Sequence, residues 1–515
     1  MGAESSLFHY KSFRLVVLLL LCFATYATIS MRSNLGIAII CMVDSTNETT
    51  YDRNSSSEQC SLQTKEQGKN TGYHGEFKWT KSEQALLFSS LFYGSLMTIT
   101  VSGALSDKYG PKNLLLASAI VYTILTLLTP WFVYNYHIYL VVRFLMGMCD
   151  GMFFPCAASL CARWFPPDER STVASIYTSG NQLAASFGVI MAGSLCEIPI
   201  LNGWPLIFYS VGSLGVINII LFAVFITDSP NDSRCISEKE TLFLNVHLSS
   251  QHSGLGQKKL SFKKIPWFSM LTSTATLAVV ISQFSFNFIN TFLQSFLPAY
   301  FKDILQLDLS QNALFSALPF ITQLIFKNVM AIGADSLKKA NVLSSTAACK
   351  ILQSIGNVLY SLLNIRKTSA TFGTSTILVL MAYFVVDCTD QQLGIVLSAI
   401  LGCFFAGQIS GAFTAALSIA PSFTGTISSV TTFAGVIGSI LAPSLVGFFN
   451  ETGALEEWRI NFLISAGISG VSGFIFLIFG SAEIQKWAIV SKPQVVVQVS
   501  SCPNFHENES IRERL

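Results

Sequence analysis

The run Ile138–Ala162, IYLVVRFLMGMCDGMFFPCAASLCA, decides how the chain is read. The hydrocarbon core of a bilayer, ~30 Å thick, is crossed by about 20 largely apolar residues in a helix, and this run is long enough. Yet it holds Arg143 and Asp150. Charge at the centre of a span costs ~2.5–3.5 kcal/mol on insertion scales, so it needs a reason. A separation of seven residues puts the two on one helix face, two turns and ~10.5 Å apart. Gly147 and Gly151 continue from Arg143 at i+4 spacing, a small-residue stripe that lets another helix approach closely. The plainer alternative is a charge pair that only packs a bundle, which neutral residues would do at lower cost.

Similar runs recur outward from this one. They lie near 15–43, 84–104, 114–134, 172–195 and 204–227, then, after a polar stretch, near 269–298, 311–333, 342–364, 373–388, 393–419, 425–449 and 460–480. The polar interruption, Asp228 to Pro266, carries the basic pairs Lys258-Lys259 and Lys263-Lys264. Six runs, a charged loop and seven more suggest two six-helix halves, the parallel-repeat plan of many secondary transporters. The surplus run is read as an insertion at 357–370 (NVLYSLLNIRKTSA), with a genuine thirteenth span as the alternative. The expected organisation is residues 1–227 as the first half, 228–266 as a cytosolic central loop, 267–482 as the second half and 483–515 as a cytosolic tail. The expected fold class is all-α: a polytopic membrane protein of twelve transmembrane helices.

Composition agrees. Of 515 residues, 51% are hydrophobic and only 12% charged, about half the charge of a soluble domain. The net charge of +2 supplies no basic field for a phosphate backbone, which excludes nucleic acid as a partner. The partners expected instead are the lipid bilayer and a small anion. The cysteines Cys22, Cys41, Cys149, Cys156, Cys161 and Cys403 sit inside apolar runs and read as small buried hydrophobes, not bridges. No phosphate-cradling loop, zinc-ligand cluster or nucleophile elbow is present, so no enzyme, cofactor or metal is expected, and an ion gradient is the remaining energy source.

Lys and Arg collect in alternate loops: Lys11 and Arg14, Lys108 and Lys112, Arg163 and Arg170, the central loop, and Lys338-Lys339. The excess marks the cytosolic side, which places both termini there. The loop Asp44–Lys81 opposes this with its basic residues, but it is long and also acidic. It carries two glycosylation acceptors, Asn47-Glu48-Thr49 and Asn54-Ser55-Ser56, as an outside loop can. The first run exceeds a signal-peptide core and lacks a small-residue cleavage site, so it reads as a retained span.

Three more charges need accounts. Arg32 interrupts the first run; Leu35–Val43 stays apolar beyond it, favouring a cavity-facing guanidinium over one that snorkels from a span ending at Ser30. Lys327 lies mid-run in LIFKNVM, whereas Lys350 is close enough to a run end to reach the surface. Arg32, Arg143, Lys327 and Lys350 against Asp150 leave a positive excess, for which anions are the natural guests. None of the six His falls in mid-span, so a histidine proton relay is not available.

The segment Gly103-Ala-Leu-Ser-Asp107-Lys108-Tyr-Gly110-Pro-Lys112 resembles the loop signature of the major facilitator superfamily, in which the Asp locks a cytosolic gate. A weaker copy, Gly333-Ala-Asp335-Ser-Leu-Lys338-Lys339, stands at the equivalent place in the second half, and Arg143-x-x-x-Gly147-x-x-x-Gly151 resembles the superfamily's fourth span. Asp150-Gly-Met-Phe-Phe-Pro155 with Arg163-Trp164-Phe-Pro166-Pro167-Asp-Glu169-Arg170-Ser171 is similar to the organic-anion and phosphate transporter family, which includes sialin, the vesicular glutamate transporters and the type I sodium–phosphate cotransporters. Pro298-Ala-Tyr300-Phe, Ile419-Ala-Pro421 and Glu456-Glu457-Trp458-Arg459 add to the likeness, which spans about 11 to 488.

The resemblance implies that Arg32 and Arg143 engage the substrate anion, that Asp150 stands at an acidic position linked to proton coupling, and that Lys350 matches a basic ninth-span position. It also exposes departures: Ala158 where vesicular members carry His, Phe286 where the glutamate transporters carry Arg, and Phe413-Thr-Ala-Ala-Leu-Ser418 in place of a polar cluster. These argue against a vesicular glutamate transporter and leave sialin-like or phosphate-type transport open. The expectation is alternating access about a midplane cavity, coupled to H+ with Na+ as the alternative, the arriving substrate releasing a proton from Asp150 by competing for the arginine. A lysosomal or vesicular membrane and the plasma membrane both remain open. A non-transporting membrane sensor on the same fold is the remote alternative.

Overall fold

Long apolar runs have one structural outcome in lipid, where every backbone N–H and C=O must be satisfied within the segment: a helix. The computed structural model describes residues 12–43, 75–166, 170–198, 203–253, 266–339, 370–408 and 424–481, with 415, 419, 420, 483 and 485–488. The first rod is α1 (Phe13–Ser33) continued, past a single turn residue Asn34, by α2 (Leu35–Met42). Then follow α3 (Lys81–Tyr109), α4 (Pro111–Phe132) and α5 (Tyr136–Trp164). The fifth rod is broken: α6 (Arg170–Leu183), a π-turn over Ala184–Gly188, and α7 (Val189–Cys196). It is followed by α8 (Trp204–Phe225).

Between the halves lie α9 (Glu238–Ser253) and the short α10 (Trp267–Leu271). The second half has α11 (Thr274–Asp303), α12 (Leu309–Lys339), α13 (Ala370–Phe384), α14 (Gln391–Gln408), α15 (Thr424–Phe449) and α16 (Leu455–Phe479). Among the described residues ten helices are long and apolar enough to cross a membrane; the π-interrupted fifth rod and the shorter apolar helix at Gly373–Phe384 bring the traceable segments to twelve. Of the insertion expected at 357–370, residues 357–369 lie outside the described residues and Ala370 opens α13.

The local sequence explains several boundaries. Thr80 and Glu83 form a capping box that starts α3. Gly110 joins α3 to α4 at φ +85°, a left-handed conformation glycine adopts without penalty, and Pro111 opens α4 where no backbone donor is required. A Cβ at Gly110 would sit 2.7 Å from Oδ2 of Asp228, whose Oδ1 accepts the Lys112 N–H at 3.0 Å. Buried hydroxyls return to their own helices, as Thr25 to Leu21 O and Thr126 to Tyr122 O. Large apolar side chains such as Met97, Trp131, Val224 and Phe448 are exposed, as a lipid-facing surface requires.

The central segment is more structured than an expected loop. Glu240 of α9 accepts from Ser12 Oγ (2.7 Å), the Phe13 N–H (3.0 Å) and Arg14 Nε (2.9 Å) at the start of α1. Arg14 also lies over the Phe243 ring, 5.0 Å from its centroid.

At the face opposite the start of α1 and the end of α16 the two halves close on each other. Lys81 Nζ of α3 pairs with Asp303 Oδ2 of α11 at 3.2 Å, and the Trp458 indole donates to the same oxygen at 3.3 Å. Pro298 lacks the N–H that would otherwise reach Gln294 O. Gly36 of α2 faces that carbonyl, and a Cβ there would lie 2.9 Å from it.

One expectation is overturned. Cys41 is not a buried hydrophobe with a free thiol; it is joined to Cys196, 155 residues away, by a disulfide at that same face. Cys388 is disulfide-bonded as well. Periodicity within one run sees an apolar neighbourhood and nothing of a partner brought in by topology. Cys22, Cys149, Cys156 and Cys403 are free thiols.

Candidate functional site: a buried charge cluster between the first and fourth rods

The position of α5 is set by glycine. A Cβ at Gly147 would stand 1.8 Å from the Leu91 carbonyl oxygen, one at Gly94 would stand 2.0 Å from that of Phe144, and one at Gly151 would stand 2.5 Å from that of Ser95. α3 and α5 therefore touch backbone to backbone, and Thr98 Oγ1 donates to Met148 O at 2.9 Å across the seam. This contact fixes the rotation of α5, and with it the direction of Arg143 and Asp150.

Both charges are buried, Arg143 to 2% and Asp150 to 5% exposure. Arg32, in the last turn of α1, brings Nη1 to 3.5 Å from Asp150 Oδ2. Its guanidinium lies over the Phe92 ring, 5.8 Å from the centroid, a cation–π contact. The fields of Arg32 and Arg143 both act on the Asp150 carboxyl group, and all three act on the Tyr122 hydroxyl of α4. The result is a direct Arg32–Asp150 ion pair with a second buried guanidinium, Arg143, on the same helix as the carboxyl group.

The cluster is incompletely satisfied. Arg143 Nε, Asp150 Oδ1 and the hydroxyls of Tyr122 and Tyr139 are buried without a hydrogen-bond partner. Unmet donors and acceptors in a dry interior cost ~1–3 kcal/mol each. Such groups persist where a ligand or water meets them part of the time. Arg143 Nε donates and each tyrosine hydroxyl can donate, which suits an anion: an arginine fork presents paired N–H groups to a carboxylate or phosphate.

Sequence reasoning singled out Arg32, Arg143 and Asp150 but matched Asp150 with Arg143 on the same helix; the direct ion pair is with Arg32 of another. It missed Tyr122, an aromatic in an apolar run with no signal of its own. It also missed Ser30, Asn34 and Gln182, buried polar side chains with unpartnered atoms. A Cβ at Gly188, in the π-turn, would lie 3.3 Å from Ser30 Oγ and 3.8 Å from Asn34 Oδ1. Their signal was available: Ser30, Asn34 and the intervening Arg32 break an otherwise apolar stretch.

Lys327 does not join the cluster. It is 3% exposed in α12, and its Nζ donates to Thr178 Oγ1 of α6 at 2.9 Å. Phe286, at the position where a relative would carry Arg, stacks on Phe405 with centroids 4.9 Å apart. Lys350, Asn47 and Asn54 lie outside the described residues, as do the side chains of Asp107, Lys108 and Asp335 and the surroundings of Gly103. A small pocket of mixed lining, including Ile40, Lys81, Phe88, Ser295, Phe296 and Asp303, lies beyond the cluster, toward the face opposite the start of α1.

Residues 18–386 match the Major Facilitator Superfamily. The chain is 32% identical to an uncharacterized transporter, slc-17.3, of Caenorhabditis elegans, over 96% of this chain and 93% of that one. It is 29% identical to human sialin, covering 91% and 89%. To mouse sodium-dependent phosphate transport protein 3 it is 28% identical, covering 93% and 96%. Among solved structures it is similar to a D-xylose–proton symporter, with a TM-score of 0.61 at 13% identity over 92% of this chain and 99% of that one.

Proposed function

The chain belongs to the Major Facilitator Superfamily, and on that premise we propose that it carries small organic anions, carboxylates such as sialic acid, across a membrane by alternating access with protons as the coupling ion. It is a multi-pass membrane transporter and not an enzyme. The observation that carries the proposal is the Arg32–Asp150 ion pair beside the buried Arg143, with Arg143 Nε and Asp150 Oδ1 left unpartnered.

The ion pair orders the steps. Arg32 is engaged by Asp150, so a substrate carboxylate and Asp150 compete for one guanidinium. A proton delivered to Asp150 Oδ1 removes the competing charge, and the anion then takes its place on Arg32 and Arg143. Proton and anion enter together and the cluster keeps its charge. This is the sign of symport. It replaces the expectation that the arriving substrate expels the proton, which took Arg143 alone as the partner of Asp150. Rocking of the two halves then exposes the occupied cluster to the other side, once Lys81 and Asp303 part or re-form.

The Lys/Arg bias of the loops supports cytosolic termini. The Cys41–Cys196 bridge supports the same orientation, because disulfides persist on the luminal or extracellular side. Sodium-coupled transport of inorganic phosphate is the second reading, favoured by the similarity to the mouse phosphate transport protein.

The test is flux of radiolabelled N-acetylneuraminate, simple carboxylates and phosphate into proteoliposomes under separate proton and sodium gradients. Carboxylate uptake driven by an inward proton gradient is expected, and Asp150→Asn abolishes its pH dependence. An Asp150→Asn protein with full pH-dependent uptake removes the coupling role. Uptake of phosphate that follows Na+ and ignores pH establishes the second reading, and no flux across the panel favours a sensor.

A further inference from the structure

Lys327 is a buried ammonium held by a neutral partner. Its Nζ has three N–H donors, and one is taken by Thr178 Oγ1. Among the described residues no carboxylate comes within 4.0 Å of it. Among the described residues the Cys22 thiol of α1 is an ionisable group near it. A cation taken out of water and given no anion is costly to keep. A glutamine or methionine would fill the same space at lower cost, so the position calls for a negative partner that comes and goes.

Its level in the fold decides what kind of partner. α1 and α6 run side by side in contact at Gly180, where a Cβ would lie 2.4 Å from Cys22 O and 2.8 Å from Tyr26 N. Thr178, Lys327 and Cys22 thus share one level. Cys22 and Arg32 are ten residues apart on the uninterrupted helix α1, about 15 Å along its axis. That axial offset of the two levels, several helical turns, sets Lys327 apart from the cluster along α1. Lys327 and the Arg32–Asp150–Arg143 cluster are therefore two stops on a route and not two jaws on one ligand. The Lys327 stop is the nearer to the face that carries the start of α1 and the end of α16, the terminal face.

We infer that Lys327, with the Thr178 hydroxyl, forms a second binding station for the transported anion, between the arginine cluster and the terminal face. The inference rests on the anion-transport reading above. A carboxylate or phosphate oxygen accepts from the ammonium, and the displaced Thr178 hydroxyl turns to donate to it. The Lys327–Thr178 bond joins α12 of the second half to α6 of the first, so an anion that takes the ammonium also loosens a link between the halves.

Cys22, a partly exposed free thiol at the same level, is a built-in reporter. In the full-length protein in proteoliposomes, a negatively charged methanethiosulfonate is expected to modify Cys22 at least tenfold faster than a positively charged one, with Cys22→Ala identifying the signal. N-acetylneuraminate or inorganic phosphate should slow that modification. Lys327→Gln should remove both the charge preference and the protection. It should also raise the half-saturation for efflux from the terminal side about tenfold while leaving that for entry from the opposite side within twofold. Lys327→Arg should preserve all of these, and Thr178→Val should weaken protection alone.

Wild-type flux together with a Lys327→Gln protein unchanged in charge preference, protection and both half-saturations overturns the station and leaves the transport reading standing. A wild-type protein without flux whose Cys22 is still protected in a Lys327-dependent way overturns the transport reading and leaves an anion site at Lys327.

Discussion

The ion pair between Arg32 and Asp150 makes a prediction of sign as well as size. At 3.5 Å and an effective dielectric of about 20, two unit charges attract by ~5 kcal/mol. Desolvation of a 16%- and a 6%-exposed side chain offsets part of that, leaving a coupling of about 2–3 kcal/mol. Arg32→Gln in the native background removes the attraction and destabilises, although the Arg143 field still holds Asp150. Asp150→Asn leaves two cations facing a neutral amide and is the worst of the single changes. In that background Arg32 is a liability, and adding Arg32→Gln should restore stability by ~1–2 kcal/mol. The same substitution therefore destabilises one parent and stabilises the other. Thermal unfolding of the four purified proteins in detergent reads the cycle, and proton-driven flux is expected to be lost in all three variants. Additivity within ~0.5 kcal/mol would refute the pair, and native flux in the Arg32→Gln protein would refute its role in transport.

Other consequences are open to measurement. Gly147→Val places side-chain carbon where Leu91 O stands; the forced separation of α3 and α5 should cost about 1–3 kcal/mol and abolish flux, whereas Gly467→Ala, with nothing within 4 Å, should change neither folded yield nor flux. Lys81→Ala should loosen the seal opposite the start of α1. An Ala85→Cys reporter, placed at the contact with Gly447, would then be labelled by an impermeant thiol reagent about tenfold faster, a shift of ~1.4 kcal/mol, and unchanged labelling would count against the bridge as a gate. Glu240→Ala should release α9 from the start of α1, seen as faster amide exchange over 238–253 with flux retained, at a cost of about 3 kcal/mol. Cys196→Ser should lower stability by about 2–4 kcal/mol and reduce the loss of stability that reductant causes in the native protein, leaving the part due to the Cys388 disulfide.

How far the residues announced this arrangement depends on the range of the interaction. Apolar runs of bilayer length have a single hydrogen-bonded solution, so the spans around Arg143 and Lys327 were readable without a fold. The glycine stripe Gly147–Gly151 was readable for the same reason: helix-face arithmetic is local. That arithmetic could not reveal that Asp150 meets Arg32 at closer range than it meets Arg143, because the pair is set by how two rods pack. Nor could it reveal Glu240 on Arg14, 226 residues away, or the Cys41–Cys196 bridge. The π-turn at Ala184–Gly188 left no mark either, since AASFG is ordinary helix-compatible sequence. Pooling Arg32, Arg143 and Lys327 into one positive cavity was the natural reading of a list of charges. Only the levels of Cys22 and Arg32 along α1 separate them.

The cross-link between Cys41 and Cys196 limits how the protein can breathe. It staples α2 to α7, and each of these leans on the second half, α2 at Gln294 of α11 through Gly36 and α7 at Ala313 of α12 through Gly193. Neither can swing out alone. Admission from that side must lift α11 and α12 off the stapled pair as one movement, which makes the covalent tie the anvil against which the other half hinges.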